Sequence, residues 1–339
     1  MTFEYFEQNF RKKAIQSGFS EDNIHKCLVY AEPLINKGLP VIFNTANLSA
    51  LVGYKKNFIK KAALYTDYFY RNFTILKKNG KRRPLKEPLP SLKEIQCWIL
   101  ENILYTIPVS KYAKAYVKKR NLLDNVKYHK DKEIVITLDI KDFFPSIKRG
   151  SIEKIFLELG YSSNISNLLG KLCCCNDHLP QGAPTSPYLS NIYMRNFDLT
   201  LSNYCNVENV RYTRYADDIT LSGKIDPIVV IAFVRKELLA YSLFLNEEKI
   251  KVMGKNVRQI VTGIVVNDKI QIPKNYRDKI RQEVYFIKKF GLANHLQKIN
   301  SSQANYVYHL IGKINFALQI NPLDKDMIDY RKFIKGLLN

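Results

Sequence analysis

The sequence of 339 residues has no long apolar run and few acidic side chains. A helix that crosses a bilayer needs about 18 or more consecutive apolar residues, and no such stretch is present. Residues 1–10 mix acids with aromatics and lack the apolar segment of a secretory signal. We therefore expect no membrane-spanning helix, no membrane partner and a cytoplasmic location.

The shortage of acids leaves a large positive charge. There are 53 Lys and Arg against 31 Asp and Glu, which gives a formal net charge of +22. Such an excess favours a polyanionic partner, either nucleic acid or an acidic membrane surface, and we favour nucleic acid. The hydrophobic fraction of 46% indicates a folded chain, long enough for two or three subdomains.

Paired Cys-x-x-Cys motifs are also missing. Three of the six cysteines are adjacent at residues 173–175. Adjacent side chains cannot all point at one metal ion, so we interpret the cysteines as reduced and mostly buried. A zinc site is the alternative.

Apolar spacing predicts a mixture of helices and short strands. We expect a helix over residues 91–107 that begins with a Ser91–Glu94 capping box, and another that begins at Ser186 and continues to residue 204. Strands are expected over residues 133–140 and on both sides of a turn within 209–222. Residues 260–266 and 269–272 are expected to form a further hairpin with Asn267-Asp268 at its turn. The tail over residues 276–338 reads as helical and basic.

Two segments combine positive charge with aromatic residues. Residues 71–83 contain six basic side chains and no acid, and Asn79-Gly80 predicts a hairpin turn there. This hairpin would form a flap over phosphates, with a solvated loop as the alternative. Residues 111–120 hold five basic side chains and two tyrosines, which suits phosphate neutralisation and base stacking.

Three aspartates carry the predicted chemistry. Asp217 and Asp218 lie between apolar strand segments, and Asp139 ends another apolar strand. Neighbouring carboxylates repel one another unless a cation neutralises them. If the strands are neighbours, three hard oxygen donors converge, which suits Mg²⁺. An ordinary exposed turn is the alternative for either feature alone.

The order of these motifs resembles the reverse transcriptase family. Asp139 comes first, then Gln181-Gly182, then Tyr-Ala-Asp-Asp at residues 215–218, and the resemblance covers residues 81–263. It implies an α+β right-hand polymerase with interleaved fingers and palm and a helical thumb. We place an N-terminal helical cap at residues 1–45, fingers and palm at 46–248, and a palm-end hairpin with a basic thumb at 249–339.

The resemblance also implies residue roles. Asp139, Asp217 and Asp218, with the backbone carbonyl of Ile140, would bind two Mg²⁺ ions, or Mn²⁺. The residues implied to contact the incoming deoxynucleotide are Lys81, Arg83, Phe144, Gln181, Gly182 and Lys249. Phe144 matches the ring that excludes a 2′-hydroxyl, and Lys249 the lysine near the leaving phosphate. Arg82 is an equal candidate for the triphosphate clamp, Phe144 is alternatively a core aromatic, and Lys249 a surface lysine.

Within this family the sequence resembles the bacterial retron enzymes. Val261-Thr262-Gly263 matches their Val-Thr-Gly, and residues 125–129 match their Asn-Ala-x-x-His, with Val126 in place of Ala and a structural role as the alternative for His129. The implied RNA-binding residues are Val261, Thr262, Gly263, Lys274, Arg277 and Arg281.

Retron membership would imply several partners. They are a cognate structured noncoding RNA, primed from an internal guanosine 2′-hydroxyl, its branched RNA–DNA hybrid product, dNTPs, and an accessory effector or toxin for antiphage defence. The alternatives are another bacterial reverse transcriptase, of the abortive-infection or an unclassified type, and an RNA-binding scaffold with a decayed polymerase site.

Overall fold

The computed structural model describes residues 2–76, 80, 82–299 and 305–338, with Arg83 described by its backbone alone. The helices are α1 Phe3–Gln16, α2 Glu21–Asn36, α3 Thr45–Val52, α4 Lys56–Leu64, α5 Pro90–Asn102, α6 Leu122–Val126, α7 Phe143–Ser146, α8 Arg149–Leu159, α9 Ser163–Cys173, α10 Ser186–Tyr193, α11 Arg195–Val207, α12 Pro227–Leu239, α13 Lys274–Phe290, α14 Leu292–Lys298, α15 Tyr306–Ile320 and α16 Lys325–Lys335. The strands are β1 Tyr70–Leu76, β2 Arg82–Pro88, β3 Ile134–Asp139, β4 Arg211–Tyr215, β5 Asp218–Gly223, β6 Lys251–Gly254, β7 Ile260–Val261 and β8 Ile264–Val265. Short 3-10 turns cover Thr66–Phe69, Leu104–Thr106, Lys127–His129 and Glu247–Lys249.

The chain divides into two compact units, each built from several stretches of sequence. The first unit comprises residues 1–118, 140–200 and 236–244, and the second comprises 119–139, 201–235 and 245–339. The predicted division at residues 45 and 248 follows sequence order and stays a prediction.

The first unit is mostly helical and includes the β1–β2 hairpin. The helix α5 lies in its core, because Leu92, Ile95 and Ile99 recur at three- and four-residue spacing and are fully buried. Gln96 on the same helix is also fully buried, and its Nε2 donates to the Tyr70 hydroxyl and to the Leu172 carbonyl, both at 2.8 Å.

The second unit contains a four-stranded antiparallel sheet in the order β4-β5-β3-β6. The central strands β3 and β5 are almost entirely buried, as their near-continuous apolar runs predict. The register places Asp139 at the end of β3 directly opposite Asp218 at the start of β5. An apolar core joins β7 and β8 to the helices α13, α15 and α16 and includes Val135 of β3 and Met253 of β6.

The mixed α+β class and the helical tail agree with expectation, and so do the strands around residues 215–218. The expected Ser91 cap is wrong: the helix begins at Pro90, whose fixed φ suits the first helical position, and no side chain caps it. The expected cap at Ser186 is also wrong, since Thr185 occupies that position.

The helix expected from Ser186 to residue 204 is two helices, which meet at the buried Met194. Apolar spacing continues across the bend, so periodicity alone does not detect it.

The hairpin predicted around Asn267-Asp268 is confirmed, because Val265 and Gln271 pair antiparallel across residues 266–270 through backbone hydrogen bonds of 3.0 and 3.1 Å. A further reversal, which was not predicted, lies between β7 and β8, where Thr262 and Gly263 have φ of 45° and 85°, the left-handed conformation that a two-residue hairpin turn requires. The Asn267 side chain accepts from the Gln259 N–H at 2.9 Å and donates to the Val257 carbonyl at 3.0 Å.

The buried state expected for most cysteines is confirmed, with residues 173–175 and Cys205 buried. Among the described helices, none is long and apolar enough to cross a membrane.

Candidate active site

The turn between β4 and β5 presents two adjacent carboxylates. Tyr215 pairs with Asp218, so Ala216 and Asp217 form the tip of the hairpin. Ala216 has a left-handed φ of 59°, and its carbonyl accepts a hydrogen bond of 3.0 Å from the guanidinium of the fully buried Arg214. Arg214 was not identified from the sequence, because β4 also contains the exposed Arg211 and the two arginines look alike in the sequence.

Asp139 and Asp218 are brought together by strand pairing. Residues directly opposite in antiparallel strands have side chains on one face, with Cβ atoms about 5 Å apart. Asp139 is buried, and both its carboxylate oxygens accept from the Lys249 ammonium at 2.8 Å. Partial burial disfavours the charged lysine, but hydrogen bonding to Asp139 and the charges of Asp217 and Asp218 outweigh it and raise the pKa of Lys249.

Asp218 is a strongly perturbed carboxylate. Burial, the charge of Asp217 and the charge of Asp139 together raise the pKa of Asp218 to about 6, although Lys249 and Lys251 oppose the shift. The two lysines therefore do not offset the burial and the neighbouring carboxylates. Clustered acids with raised pKa values are typical of sites that bind cations or transfer protons.

The donor set fits a divalent cation. Asp139, Asp217 and Asp218 offer hard oxygen ligands of the type that such ions prefer. Across the described ranges, no group of three or more acidic, histidine or cysteine side chains is already arranged as a metal site. Lys249 contacts both oxygens of Asp139, so an ion bound through this carboxylate would share its oxygens with the ammonium.

In the first unit, Phe144 lies on α7 and is half-buried, with its ring centroid 5.5 Å from Phe143 and 6.3 Å from Tyr116. The residue before α7, Asp142, has a left-handed φ of 45°. Phe144 thus belongs to a small aromatic group and is not fully enclosed. This position is compatible with both predicted roles, the ring that excludes a 2′-hydroxyl and a core aromatic.

The loop at Gln181-Gly182 is attached to β2. The Gln181 carbonyl accepts from the Lys86 N–H at 2.9 Å. Gly182 has φ of 129°, and a Cβ there would lie 2.5 Å from the Lys86 carbonyl oxygen. Only glycine allows this approach. The Lys86 side chain is bonded to Asp67 at 2.5 Å and to Cys175 at 3.5 Å.

The predicted triphosphate clamp is only partly described. Lys81 lies outside the described residues, and the side chain of Arg83 is not described. Arg82 is exposed at the start of β2, opposite Leu76. The predicted basic strands are confirmed as the β1–β2 hairpin, while the assignment of the clamp stays a prediction.

The two motifs that resemble those of retron enzymes, residues 125–129 and 261–263, are brought together in the second unit. The Asn125 amide donates to the Thr262 hydroxyl at 3.3 Å. His129 is fully buried between the hydroxyls of Ser222 and Thr213, at 2.7 and 2.8 Å. Neither hydroxyl was identified from the sequence.

The predicted RNA-binding residues differ in exposure. The Val261 side chain is fully buried, Thr262 is half-buried and Gly263 is exposed. On α13, Lys274 and Arg281 are exposed. Arg277 is half-buried and forms ion pairs with Asp324 and Asp326 near the start of α16.

Comparison with known proteins identifies the family. The family model for reverse transcriptase (RNA-dependent DNA polymerase) matches residues 75–271. Retron Ec86 reverse transcriptase of Escherichia coli is 30% identical over 86% of this chain and 96% of its own length. Retron Mx65 reverse transcriptase of Myxococcus xanthus is 26% identical over 93% of this chain and 77% of its own.

Among solved structures, a Candida albicans telomerase in complex with a fragment of telomeric RNA aligns with a TM-score of 0.45 and 11% identity. It covers 78% of this chain and 63% of that one.

The family match carries the right-hand polymerase fold, RNA-directed DNA polymerase activity, binding of an RNA template and a general dependence on divalent metal. The chain belongs to the reverse transcriptase family, within which it is a bacterial retron reverse transcriptase.

Proposed function

We propose that this chain reverse-transcribes part of one structured noncoding RNA into DNA that stays joined to the RNA as a branched hybrid. The observation that carries the proposal is the pairing of Asp139 with Asp218 across β3 and β5, with Asp217 beside them and Lys249 bound to Asp139. Three carboxylates on neighbouring strands supply the donors that nucleotidyl transfer needs.

The three aspartates would hold two Mg²⁺ ions, with Mn²⁺ as a substitute. When bound, such ions lower the pKa of the attacking hydroxyl and stabilise the leaving pyrophosphate. Asp218 must be deprotonated to serve as a ligand, so its raised pKa means that protons compete with the ions for this carboxylate at low pH. Lys249 supplies a positive charge for the leaving phosphate.

Phe144, Gln181 and Gly182 would receive the incoming dNTP. The ring of Phe144 would exclude a 2′-hydroxyl by its volume. The close approach of Gly182 to Lys86 would fix the Gln181 loop against the nucleotide. Lys81 with Arg83 or Arg82 would neutralise the triphosphate.

The partners follow from the retron relatives and the charge. A positive charge of +22 and the exposed Lys274 and Arg281 suit a structured RNA bound through its shape and phosphates. Arg277, Thr262 and Gly263 would add contacts, with Val261 limited to its backbone. Priming from an internal guanosine 2′-hydroxyl and an accessory effector or toxin in antiphage defence complete the proposal.

The test is the double substitution Asp217→Asn and Asp218→Asn. We expect loss of DNA synthesis, because two of three anionic ligands are gone, with affinity for the cognate RNA unchanged within about twofold. Asp268→Asn, on an exposed loop, is the matched control and should retain synthesis. Full synthesis by the double variant would refute the metal-site assignment.

The same preparation tests the kind of reverse transcriptase. We expect RNA covalently joined to DNA to copurify with the wild-type chain and to be absent from the double variant. Unjoined DNA would favour another bacterial class. Bound RNA without any DNA would favour a scaffold with a decayed site.

A further inference from the structure

The Asn125–His129 motif lies on one short stretch of chain, which we call the 122–129 segment, and the Val261–Gly263 motif contacts this segment through Thr262. The segment consists of α6 and the 3-10 turn Lys127–His129. Asn125 and His129 on this segment are both fully buried, although both are polar. Val126 between them belongs to the apolar core that also contains β7, β8 and the C-terminal helices. The segment is therefore fixed and carries two buried polar groups.

His129 joins the two strands of the β4–β5 hairpin, which carries Asp217 and Asp218 and which we call the catalytic hairpin. One ring nitrogen contacts Ser222 on β5 and the other contacts Thr213 on β4. A neutral imidazole has one donor and one acceptor, and a hydroxyl can serve as either, so both bonds are satisfied in each tautomer.

These two bonds fix the strand register. Thr213 lies opposite Thr220, so Thr213 and Ser222 are diagonal neighbours on one face of the sheet. A slip of one residue turns a side chain to the other face, and would break one of the His129 bonds. The same register positions Asp217 and Asp218 at the turn.

Asn125 joins the segment to the other hairpin. Its Nδ2 donates to the Thr262 hydroxyl, in the β7–β8 turn. Its Oδ1 is buried with no hydrogen-bond partner in the described structure. An unpaired buried acceptor is costly, so an apolar residue of similar size would be more stable. Stability therefore does not explain the amide.

We propose that the 122–129 segment couples the Val261–Gly263 turn to the catalytic hairpin, with Asn125 and His129 as positioning residues. His129 holds the strands that carry Asp217 and Asp218, and Asn125 transmits the position of the Thr262 turn to the same segment. The Asn125 part rests on the proposed function, because it assumes that the turn contacts the cognate RNA.

The His129 part is tested on an annealed DNA primer with a generic RNA template. We expect His129→Phe, which keeps a ring but removes both hydrogen bonds, to lower kcat about tenfold with the KM for dNTP within about twofold. The Mg²⁺ concentration for half-maximal rate should rise. Thr213→Val and Ser222→Ala each remove one bond and should each lower kcat about fivefold.

These readouts separate positioning from simple stabilisation. A residue that only stabilises the fold lowers the melting temperature but leaves kcat and the Mg²⁺ requirement of the folded enzyme unchanged. That pattern in Thr213→Val and Ser222→Ala, measured well below their melting temperatures, would overturn the role of His129.

The Asn125 part compares the cognate RNA with the annealed primer–template. Asn125→Leu should lower synthesis on the cognate RNA about fivefold and leave primer extension within about twofold, and Thr262→Val should lower synthesis on the cognate RNA to a similar extent. Thr262→Ser keeps the hydroxyl and should retain synthesis. Because the two residues act through one bond, synthesis on the cognate RNA by the double variant should be no lower than that of the more impaired single variant.

Two results would overturn the coupling. One is an equal loss in both assays, and the other is additive loss in the double variant. If the wild-type chain used no structured RNA, the proposed function and the Asn125 part would fail together. The His129 part would still be decided on the annealed primer.

Discussion

At the residue scale, Asp218 combines burial with the repulsion of two neighbouring carboxylates. Its pKa rises from 3.8 to about 6, so the folded chain holds this proton more tightly than the unfolded chain. The resulting cost to folding is fully present above pH 6, shrinks as pH falls toward 3.8, and is absent below it. The cost is about 2 kcal/mol, after a reduction because the carboxylate is partly exposed.

We expect Asp218→Asn to raise the melting temperature of the metal-free chain at pH 8, and to have little effect at pH 4. Thermal denaturation in EDTA across this range measures it. Added Mg²⁺ should stabilise the wild type and not the variant. A variant that is less stable than wild type at pH 8 would contradict the assigned repulsion.

The half-buried ring of Phe144 allows a direct test of its proposed role in excluding a 2′-hydroxyl. Phe144→Ala removes the proposed barrier to a 2′-hydroxyl, so incorporation of ribonucleotides relative to deoxynucleotides should rise at least tenfold. Single-nucleotide extension with each substrate measures the ratio. Phe143→Leu, a change in the neighbouring buried ring, is the control and should keep the wild-type preference. An unchanged ratio in Phe144→Ala would make Phe144 a packing residue.

The sequence identified the acidic and polar side chains of the site, but not their hydrogen-bond partners. Asp139 and Asp218 were identified because each borders an apolar strand segment, but their convergence depended on a strand pairing that the sequence does not show. The bonds from Lys249 to Asp139, and from His129 to Thr213 and Ser222, join residues far apart in the chain. No local pattern encodes such contacts, and a polar residue inside a strand looks the same whether or not it has a distant partner.

At the element scale, the β2 strand and the Gln181-Gly182 loop depend on close backbone contact. Gly182→Ala would place a Cβ 2.5 Å from the Lys86 carbonyl oxygen, at a φ that other residues rarely adopt. Backbone cannot yield as a flexible side chain can, so we expect a loss of several degrees in melting temperature and a raised KM for dNTP. Gly312→Ala, on α15 with no atom within 4 Å, is the control and should be neutral or stabilising by up to about 1 kcal/mol.

Turns were predicted less completely than helices. The reversal around Asn267-Asp268 was expected from its composition and is present, but the tighter turn at Thr262-Gly263 between β7 and β8 was not expected. Thr262 adopts a left-handed φ that a β-branched residue disfavours. Its bond to Asn125 and the buried Val261 hold it there, and both depend on tertiary contacts. The start of α5 was predicted within one residue, but the helix ends at Asn102 and not at residue 107, because the 3-10 turn Leu104–Thr106 replaces its last turn.

At the scale of the whole molecule, the charge of +22 predicts strongly salt-dependent RNA binding. Each phosphate contact that is lost reduces the slope of log affinity against log salt by about 0.7 to 0.9. We expect Lys274→Gln combined with Arg281→Gln to reduce the slope by about 1.5, at an unchanged melting temperature. Fluorescence anisotropy at several salt concentrations measures it.

Arg277→Gln provides the contrast. Because Arg277 is paired with Asp324 and Asp326, its loss should lower the melting temperature as well as RNA affinity. An unchanged slope in the Lys274 and Arg281 double variant would place the RNA elsewhere on the chain.

The β1–β2 hairpin has a consequence for handling the protein. Every residue of β1 after Tyr70 is exposed, including Phe73, Ile75 and Leu76, and β1 pairs only with β2 in the described structure. A strand with an open edge and apolar side chains can add a strand from another molecule. Preparations of the chain without nucleic acid are therefore expected to form oligomers through this edge. A charged substitution such as Ile75→Lys should keep them monomeric.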